Sequence, residues 1–135
     1  MKTIAYKSGY KHQLVSTYQV EIPIYPVGLI EEEFIVLEKD GTLTVRKGYA
    51  WDGATGAFET PTIMRGSLEH DALYGLIRTE RLPARCRPQA DDLFKQTCLE
   101  DGMMKARAWW VHRGVRIGGG PAADPRNTKA VMIAP

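Results

Sequence analysis

The spacing of the apolar residues changes once along this 135-residue chain, and that change constrains the fold more than any other feature. In the stretch STYQVEIPIY, apolar side chains alternate with polar ones at Tyr18, Val20, Ile22 and Ile24, the period-two pattern of a half-buried strand. From Ser67 onward, apolar residues recur at intervals of three and four, which is typical of helices. We therefore expect an α+β fold with a small antiparallel β-sheet in the N-terminal half, followed by a bundle of about three helices.

A hairpin is the second strand signal of the first half. Asp40-Gly41 separates two apolar runs at residues 34–37 and 43–45, and Asp-Gly is a favoured two-residue connection between antiparallel strands. The stretch DGATGAFETPTIMRG that follows at residues 52–66 is rich in Gly and Thr. It is interpreted as a structured loop that leads into the helical half.

Three helices are expected in the second half. The first begins at Ser67, whose hydroxyl suits an N-cap, and the second starts near Pro88 and ends before Gly102, which suits a C′ glycine. The third covers MMKARAWWVHRGVRI. A chain of this length buries a core as one unit, so we assign residues 1–120 to a single α+β domain and residues 121–135 to a C-terminal tail or extended arm.

The composition excludes several classes of protein. Hydrophobic residues make up 44% and charged residues 25%, which is ordinary for a globular protein and argues against disorder, collagen and coiled coil. The chain opens without the apolar run of a signal peptide, and no window approaches the roughly twenty apolar residues that span a bilayer. Cys86 and Cys98 lack metal-ligand spacing and indicate no disulfide framework, so residence in a reducing cytoplasm is expected.

The positive charge is concentrated in the helical half. Between Leu76 and Arg116 there are nine Lys or Arg residues against five acidic ones, although the net charge of the whole chain is only +2. This half is either a solvated basic surface or a surface that attracts anionic lipid or nucleic acid. The case for nucleic acid is weak. Trp51, Trp109 and Trp110 leave a second alternative open: they belong to the core or to subunit contacts of an oligomer, or they lie at a membrane interface.

A candidate catalytic group lies on the first two helices. His70 and Tyr74 share a helical stripe with apolar neighbours, and Asp91 is the inward-facing acid of the second helix. Antiparallel packing would bring the three side chains together. The carboxylate would then hold the imidazole in one tautomer and leave its other nitrogen to take a proton from water. A purely structural His/Asp/Tyr network would use the same contacts, so both interpretations stay open.

A candidate metal site lies beside this group. Asp71 is turned about 100° from His70 around the helix, and Asp52 begins a Gly-punctuated loop that could direct carbonyl oxygens to a common point. Carboxylate and carbonyl oxygens are the ligands that Ca²⁺ takes in proteins. Asp71 and Asp52 are therefore candidate calcium ligands, although a plain turn after a strand is the simpler explanation of Asp52-Gly53.

Four short motifs in order resemble those of the phage- and prophage-associated family called domain of unknown function 1353. They are GYAWDGAT, SLEHDALY, RPQADDLF and VRIGG, and the resemblance covers about residues 30 to 118. The resemblance implies a phage-encoded protein, in the host cytoplasm or the virion, with phage virion proteins as candidate partners. That family has no settled activity to carry over.

A more distant resemblance concerns the helical pair alone. His-Asp-x-x-Tyr on one helix and Asp-x-x-Phe on the next are similar to the core of bacterial phospholipase A(2). This resemblance implies that His70 is the water-activating base, that Asp91 and Tyr74 orient it, and that Asp71 and Asp52 lie at a calcium site. The expected function is metal-assisted hydrolysis of an ester or phospholipid. The alternative is a non-enzymatic virion, tail-assembly or host-interaction protein whose network is structural.

Overall fold

The computed structural model describes residues 2–7, 12–52 and 60–123. Two small antiparallel sheets in the N-terminal half precede three helices of 14 to 18 residues, which confirms the expected α+β class. The described strands are β1 (Tyr6–Lys7), β2 (His12–Leu14), β3 (Tyr18–Glu21), β4 (Ile30–Glu31), β5 (Ile35–Leu37), β6 (Thr42–Val45) and β7 (Ala50–Trp51). Their order is β1-β2-β7 in one sheet and β3-β6-β5-β4 in the other, and every pairing is antiparallel.

The hairpin predicted at Asp40-Gly41 joins β5 to β6, with Leu37 opposite Leu43. Gly41 has φ +89°, a conformation that glycine adopts without a steric penalty, and the Asp40 carboxylate accepts a hydrogen bond from the Thr42 amide. The alternating residues Leu37, Leu43 and Val45 are fully buried. The period-two pattern thus sets which face of the sheet enters the core.

The helical half contains α1 (Pro61–Arg78), α2 (Arg87–Glu100), α3 (Lys105–Gly118) and a short α4 (Gly120–Ala123), with a 3₁₀ turn at Ala84–Cys86. The expectation that the first helix begins at Ser67 is wrong, because α1 begins at Pro61, where proline suits a first turn. Ser67 lies inside the helix, where its hydroxyl donates to the Met64 carbonyl and accepts from the Trp51 indole. The missed turns are buried, and their Thr, Arg and Gly residues obscure the helical pattern in the sequence.

α1 and α2 pack closely and run in opposite directions. Near the start of α1, a Cβ on Gly66 would lie 2.8 Å from Phe94 and 3.0 Å from the Cys98 sulfur, so this glycine permits the close approach. α1 ends where Glu80 takes the left-handed conformation, and the amides of residues 81 and 82 then bond to the Leu76 carbonyl. The connection through residues 79–86 is short, which makes the two helices antiparallel neighbours.

The remaining helices close the described part of the chain. α2 ends before Gly102, whose φ of +97° matches the predicted C′ glycine, and α3 packs against α2. Ala123 of α4 is buried, and residues 124–135 of the predicted tail lie outside the described residues. None of the helices in residues 2–7, 12–52 and 60–123 combines the length and apolar character that crossing a bilayer requires.

Candidate functional site

The antiparallel pair α1 and α2 brings together the three residues predicted to form a catalytic group. His70 Nε2 lies 2.7 Å from Asp91 Oδ1, and the Tyr74 hydroxyl donates to the same oxygen at 2.5 Å. His70 and Tyr74 are one helical turn apart on α1, so both side chains reach the same point of α2. The geometry expected from the helical stripe is therefore present.

Asp91 is the buried centre of this group. Its side chain is 0% exposed, and its second oxygen, Oδ2, accepts a hydrogen bond of 2.8 Å from Arg116 on α3. Burial alone would raise the pKa of Asp91, but the hydrogen bonds from His70, Tyr74 and Arg116 together hold that pKa below its usual value. Asp91 is therefore a carboxylate at neutral pH. We call His70, Tyr74, Asp91 and Arg116 the His70 cluster.

Arg87 ties the His70 cluster to the C-terminal end of α3. Its Nε donates to the Tyr74 hydroxyl at 3.1 Å, and its Nη2 donates to the carbonyls of Val115 and Arg116 at 3.1 and 2.8 Å. Burial raises the pKa of Tyr74, so its hydroxyl stays protonated and acts as a donor to Asp91. Three helices thus fix the orientation of one carboxylate.

The imidazole of His70 is held through one of its two nitrogens. Its side chain is 13% exposed and packs between the rings of Tyr74 and Phe94, with centroid distances of 4.0 and 4.9 Å. Within the described residues, Nε2 has Asp91 as its partner and Nδ1 has none, while no fully buried side-chain nitrogen or oxygen lacks a partner. A histidine fixed through one nitrogen by an ionised acid, with its other nitrogen able to take a proton from water, is the arrangement of a general base.

Asp71 points to a different neighbourhood from His70. Its carboxylate accepts a short hydrogen bond from the hydroxyl of Tyr49, in the segment just before β7. Burial raises the pKa of Asp71, the Tyr49 bond and the Arg78 charge oppose that rise, and the charge of Asp52 adds to it. Asp52 itself is exposed. The two predicted calcium ligands are thus near enough for their charges to interact.

The donor set does not by itself make a calcium site. Within residues 2–7, 12–52 and 60–123 there is no group of three or more His, Cys, Asp or Glu side chains that could hold a metal ion. Ca²⁺ takes six to eight oxygens, and Asp71 and Asp52 supply two carboxylates, one of them already bonded to Tyr49. The loop predicted to add carbonyl ligands, at residues 53–59, lies outside the described residues. Calcium therefore stays a prediction.

A second buried polar group adjoins the first and was missed in the sequence. Glu69 Oε2 accepts from the Tyr18 hydroxyl at 2.7 Å, and Oε1 accepts from the Thr97 hydroxyl at 2.6 Å. Arg65 donates to the Tyr18 hydroxyl at 2.9 Å, lies 3.5 Å from Glu69, and bonds to Glu100 and Asp101 at the end of α2. We call Tyr18, Arg65, Glu69 and Thr97 the Glu69 cluster. The i,i+4 spacing of Arg65 and Glu69 was its only sequence signal, and it fell partly in the stretch expected to be a loop.

Arg87 and Arg116 were also not predicted as site residues. Both belong to the quoted motifs RPQADDLF and VRIGG, so a signal existed, but a basic residue on a solvated helix gives no hint of its partner. Only the packing of α3 against α2 places Arg116 on Asp91. Comparisons with models of protein families, with curated proteins and with solved structures find no match for this chain.

Proposed function

We propose that this protein is an ester hydrolase in which His70 activates water. One observation carries the proposal: His70 is anchored through Nε2 to the buried, ionised Asp91, while its side chain is 13% exposed and Nδ1 has no partner among the described residues. A histidine in a purely packed core has both nitrogens bonded or excluded from water. The single bonded nitrogen of a partly exposed His70 favours a site over such a core.

The chemistry follows from the positions of the protons. Nδ1 accepts a proton from a water molecule as that water attacks the ester carbonyl. Nε2 keeps its own proton throughout and shares it with Asp91 in a hydrogen bond. The imidazolium so formed lies 2.7 Å from the Asp91 carboxylate, which stabilises the positive charge. Nδ1 then returns the proton to the departing alcohol, so one water and one ester give one acid and one alcohol. Tyr74 and Arg116 act as positioning residues for Asp91.

Activity assays on chromogenic short-chain esters and on phospholipid vesicles test this proposal. Replacing His70→Gln is expected to lower kcat/KM by about 10²-fold or more, because proton transfer by the base is lost. Asp91→Asn should lower kcat with a smaller change in KM, since Asp91 orients the base and does not touch substrate.

The chain offers a matched control in a second His-Asp pair. His112 Nε2 lies 2.7 Å from Asp92 Oδ1, but Asp92 is 72% exposed and the pair joins α2 to α3 at the surface. His112→Gln should leave hydrolysis unchanged. The proposal is contradicted if wild type hydrolyses none of these esters, or if His112→Gln is as damaging as His70→Gln.

The substrate class and the metal are carried by the resemblance to phospholipase A(2). We propose phospholipid as the ester and calcium as the metal, held by Asp71 and Asp52. A cation that binds only the folded chain raises the unfolding temperature, and the increase grows with the logarithm of its concentration above Kd. Calcium should therefore raise the unfolding temperature of wild type and have no effect on Asp71→Ala. An unchanged wild-type value would remove calcium and leave the role of His70 intact.

A non-enzymatic phage protein, in which the same network is structural, is the second candidate. The packing of His70 between Tyr74 and Phe94 favours it, because such ring contacts stabilise a core whether or not chemistry occurs. Under this candidate, His70→Gln destabilises the fold while wild type shows no hydrolysis. Denaturant unfolding measured beside the activity assay separates the two candidates.

A further inference from the structure

α3 exposes apolar residues on the side that faces away from the protein. Ala106, Trp110, Arg113 and Ile117 follow one another at intervals of four, three and four, so they form one stripe along the helix. Trp110 is 68% and Ile117 is 77% exposed. An ordinary surface helix turns its apolar stripe to the core, as α3 does with the buried Ala108 and the half-buried Val111 and Val115. The second, outward stripe has no such role.

Basic residues of α3 flank this outward stripe, one of them, Arg116, being paired with Asp91. Residues 103–123 contain four Lys or Arg residues and no Asp or Glu. Lys105 is exposed, and the guanidinium carbon of Arg113 lies 5.3 Å from the centre of the Trp109 ring. Trp109 is itself 46% exposed and meets Trp110 edge to face. An apolar ridge with aromatic rings and flanking cations is the pattern of a helix that lies in a membrane interface.

We infer that the outer face of α3 binds an anionic lipid surface. The charge of the segment complements negatively charged headgroups, and Trp110 and Ile117 would enter the boundary between headgroups and acyl chains. Nucleic acid fits less well, because Ile117 and the equally exposed Met104 offer bases neither stacking nor hydrogen bonds. A protein partner also fits less well, because it would not explain why residues 103–123 contain no acidic residue.

The docked helix would bring the His70 cluster to the lipid surface. Arg116 lies on the flank of the outward stripe, is 36% exposed and bonds directly to Asp91. A membrane held against Trp110 and Ile117 would therefore lie on the side of the His70 cluster that Arg116 covers. Binding is nevertheless independent of the proposed hydrolysis, since it needs neither His70 nor a metal.

Sedimentation with vesicles of mixed phosphatidylglycerol and phosphatidylcholine tests the inference, with pure phosphatidylcholine as the neutral comparison. Wild type should sediment with the anionic vesicles and not with the neutral ones. It should be released at about 0.5 M salt, where the Debye length falls to roughly 4 Å. The double variant Trp110→Ala, Ile117→Ala should bind about tenfold more weakly or worse, because it loses the apolar surface that enters the lipid.

A second apolar surface supplies the matched control. Tyr25 and Val27, between β3 and β4, are 68% and 93% exposed and belong to no basic segment. The double variant Tyr25→Ala, Val27→Ala should bind vesicles like wild type. His70→Ala should also bind normally, so that loss of hydrolysis and loss of binding are distinguishable. Tryptophan emission should shift to shorter wavelength on binding, with buried Trp51 as a constant background.

Four results would overturn the inference. Wild type fails to bind anionic vesicles, or both double variants bind equally well. Gel filtration shows that Trp110→Ala, Ile117→Ala dissociates a dimer, which assigns the face to a second copy of the chain. Single-stranded DNA binds wild type while vesicles do not. Because the four side chains substituted in the two double variants are exposed, unchanged thermal unfolding of both double variants is expected and establishes that their folding is intact.

Discussion

Glu69 and His70 are consecutive residues of α1, and each enters a buried polar cluster with α2. In the Glu69 cluster, both carboxylate oxygens accept hydroxyl hydrogen bonds and Arg65 supplies the positive charge. In the His70 cluster, both oxygens of Asp91 are likewise bonded, but Nδ1 of the partly exposed imidazole has no partner among the described residues. Both clusters centre on a buried carboxylate, and they differ in this one basic nitrogen.

That difference separates stability from reactivity. A buried network in which every donor and acceptor is paired can only hold elements together, and the Glu69 cluster joins β3, α1 and α2. A network with one accessible basic atom can exchange a proton with a bound molecule. We therefore expect substitutions in the Glu69 cluster to act on folding, and substitutions in the His70 cluster to act more on hydrolysis.

The largest effect is expected for Arg65→Ala. Glu69 is 1% exposed, and without Arg65 its charge is buried and uncompensated, which lowers the free energy of unfolding by about 3–5 kcal/mol. Urea unfolding measures the loss. Arg46→Ala is the control, because Arg46 also pairs with a glutamate, Glu31, but both are exposed, and the expected loss is about 0–1 kcal/mol. Equal losses would show that the Glu69 cluster does not anchor the fold.

Gly119→Ala is expected to disturb the His70 cluster from outside. A Cβ there would lie 2.7 Å from the Tyr74 hydroxyl and 2.4 Å from the Val115 carbonyl oxygen. Relief of these clashes should cost about 1–3 kcal/mol and shift Tyr74 away from Asp91. The neighbouring Gly118→Ala, where no atom lies within 4 Å, should change stability by less than about 1 kcal/mol. Similar unfolding temperatures for the two variants would contradict this account.

Two hydroxyl deletions compare the clusters directly. Tyr18→Phe removes a donor to Glu69 and an acceptor for Arg65, and should cost about 1–3 kcal/mol. Tyr74→Phe should cost about 0.5–1.5 kcal/mol, because Asp91 keeps its bonds to His70 and Arg116. Activity should fall more in Tyr74→Phe, provided that residual folded protein is equal. The reverse order in both measurements would remove the distinction between the clusters.

The smallest expected effect is on the pH dependence of stability. The pKa of Asp91 is lowered and that of Glu69 is raised in the folded chain, so the two clusters change stability with pH in opposite directions. The pKa of Asp91 is depressed in the folded chain, so its contribution is present above the unfolded value of about 3.9 and is lost as pH falls through the folded pKa. Burial raises the pKa of Glu69, so its stabilising contribution is present below the unfolded value of about 4.3 and is lost as pH rises through the folded pKa. Asp91→Asn should flatten the acid limb, and Glu69→Gln should steepen it. Urea unfolding between pH 3 and 7 checks both slopes, each limited to about 1.4 kcal/mol per pH unit.

The sequence predicted the parts of the site that depend on local periodicity. A spacing of four placed His70 and Tyr74 on one stripe, and the amphipathic pattern of α2 turned Asp91 inward. It failed at the start of α1, because the buried turns that precede Ser67 contain Arg65 and Gly66, which do not mark an apolar face. The same error hid the Glu69 cluster. The partners of Arg87 and Arg116 could not be predicted from the sequence, because a long basic side chain on a helix can contact many different neighbours.

By itself, the sequence determined the α+β class, the hairpin at Asp40-Gly41, and the alignment of His70 with Tyr74, because all three depend on repeats of two to four residues. Only the tertiary structure decided that Arg116 reaches Asp91, that Asp71 bonds to Tyr49, and that Trp110 faces outward while Trp51 is buried. Each of these depends on how separate elements pack. A contact across the fold is set by the sum of many weak burial energies, and no local pattern encodes that sum.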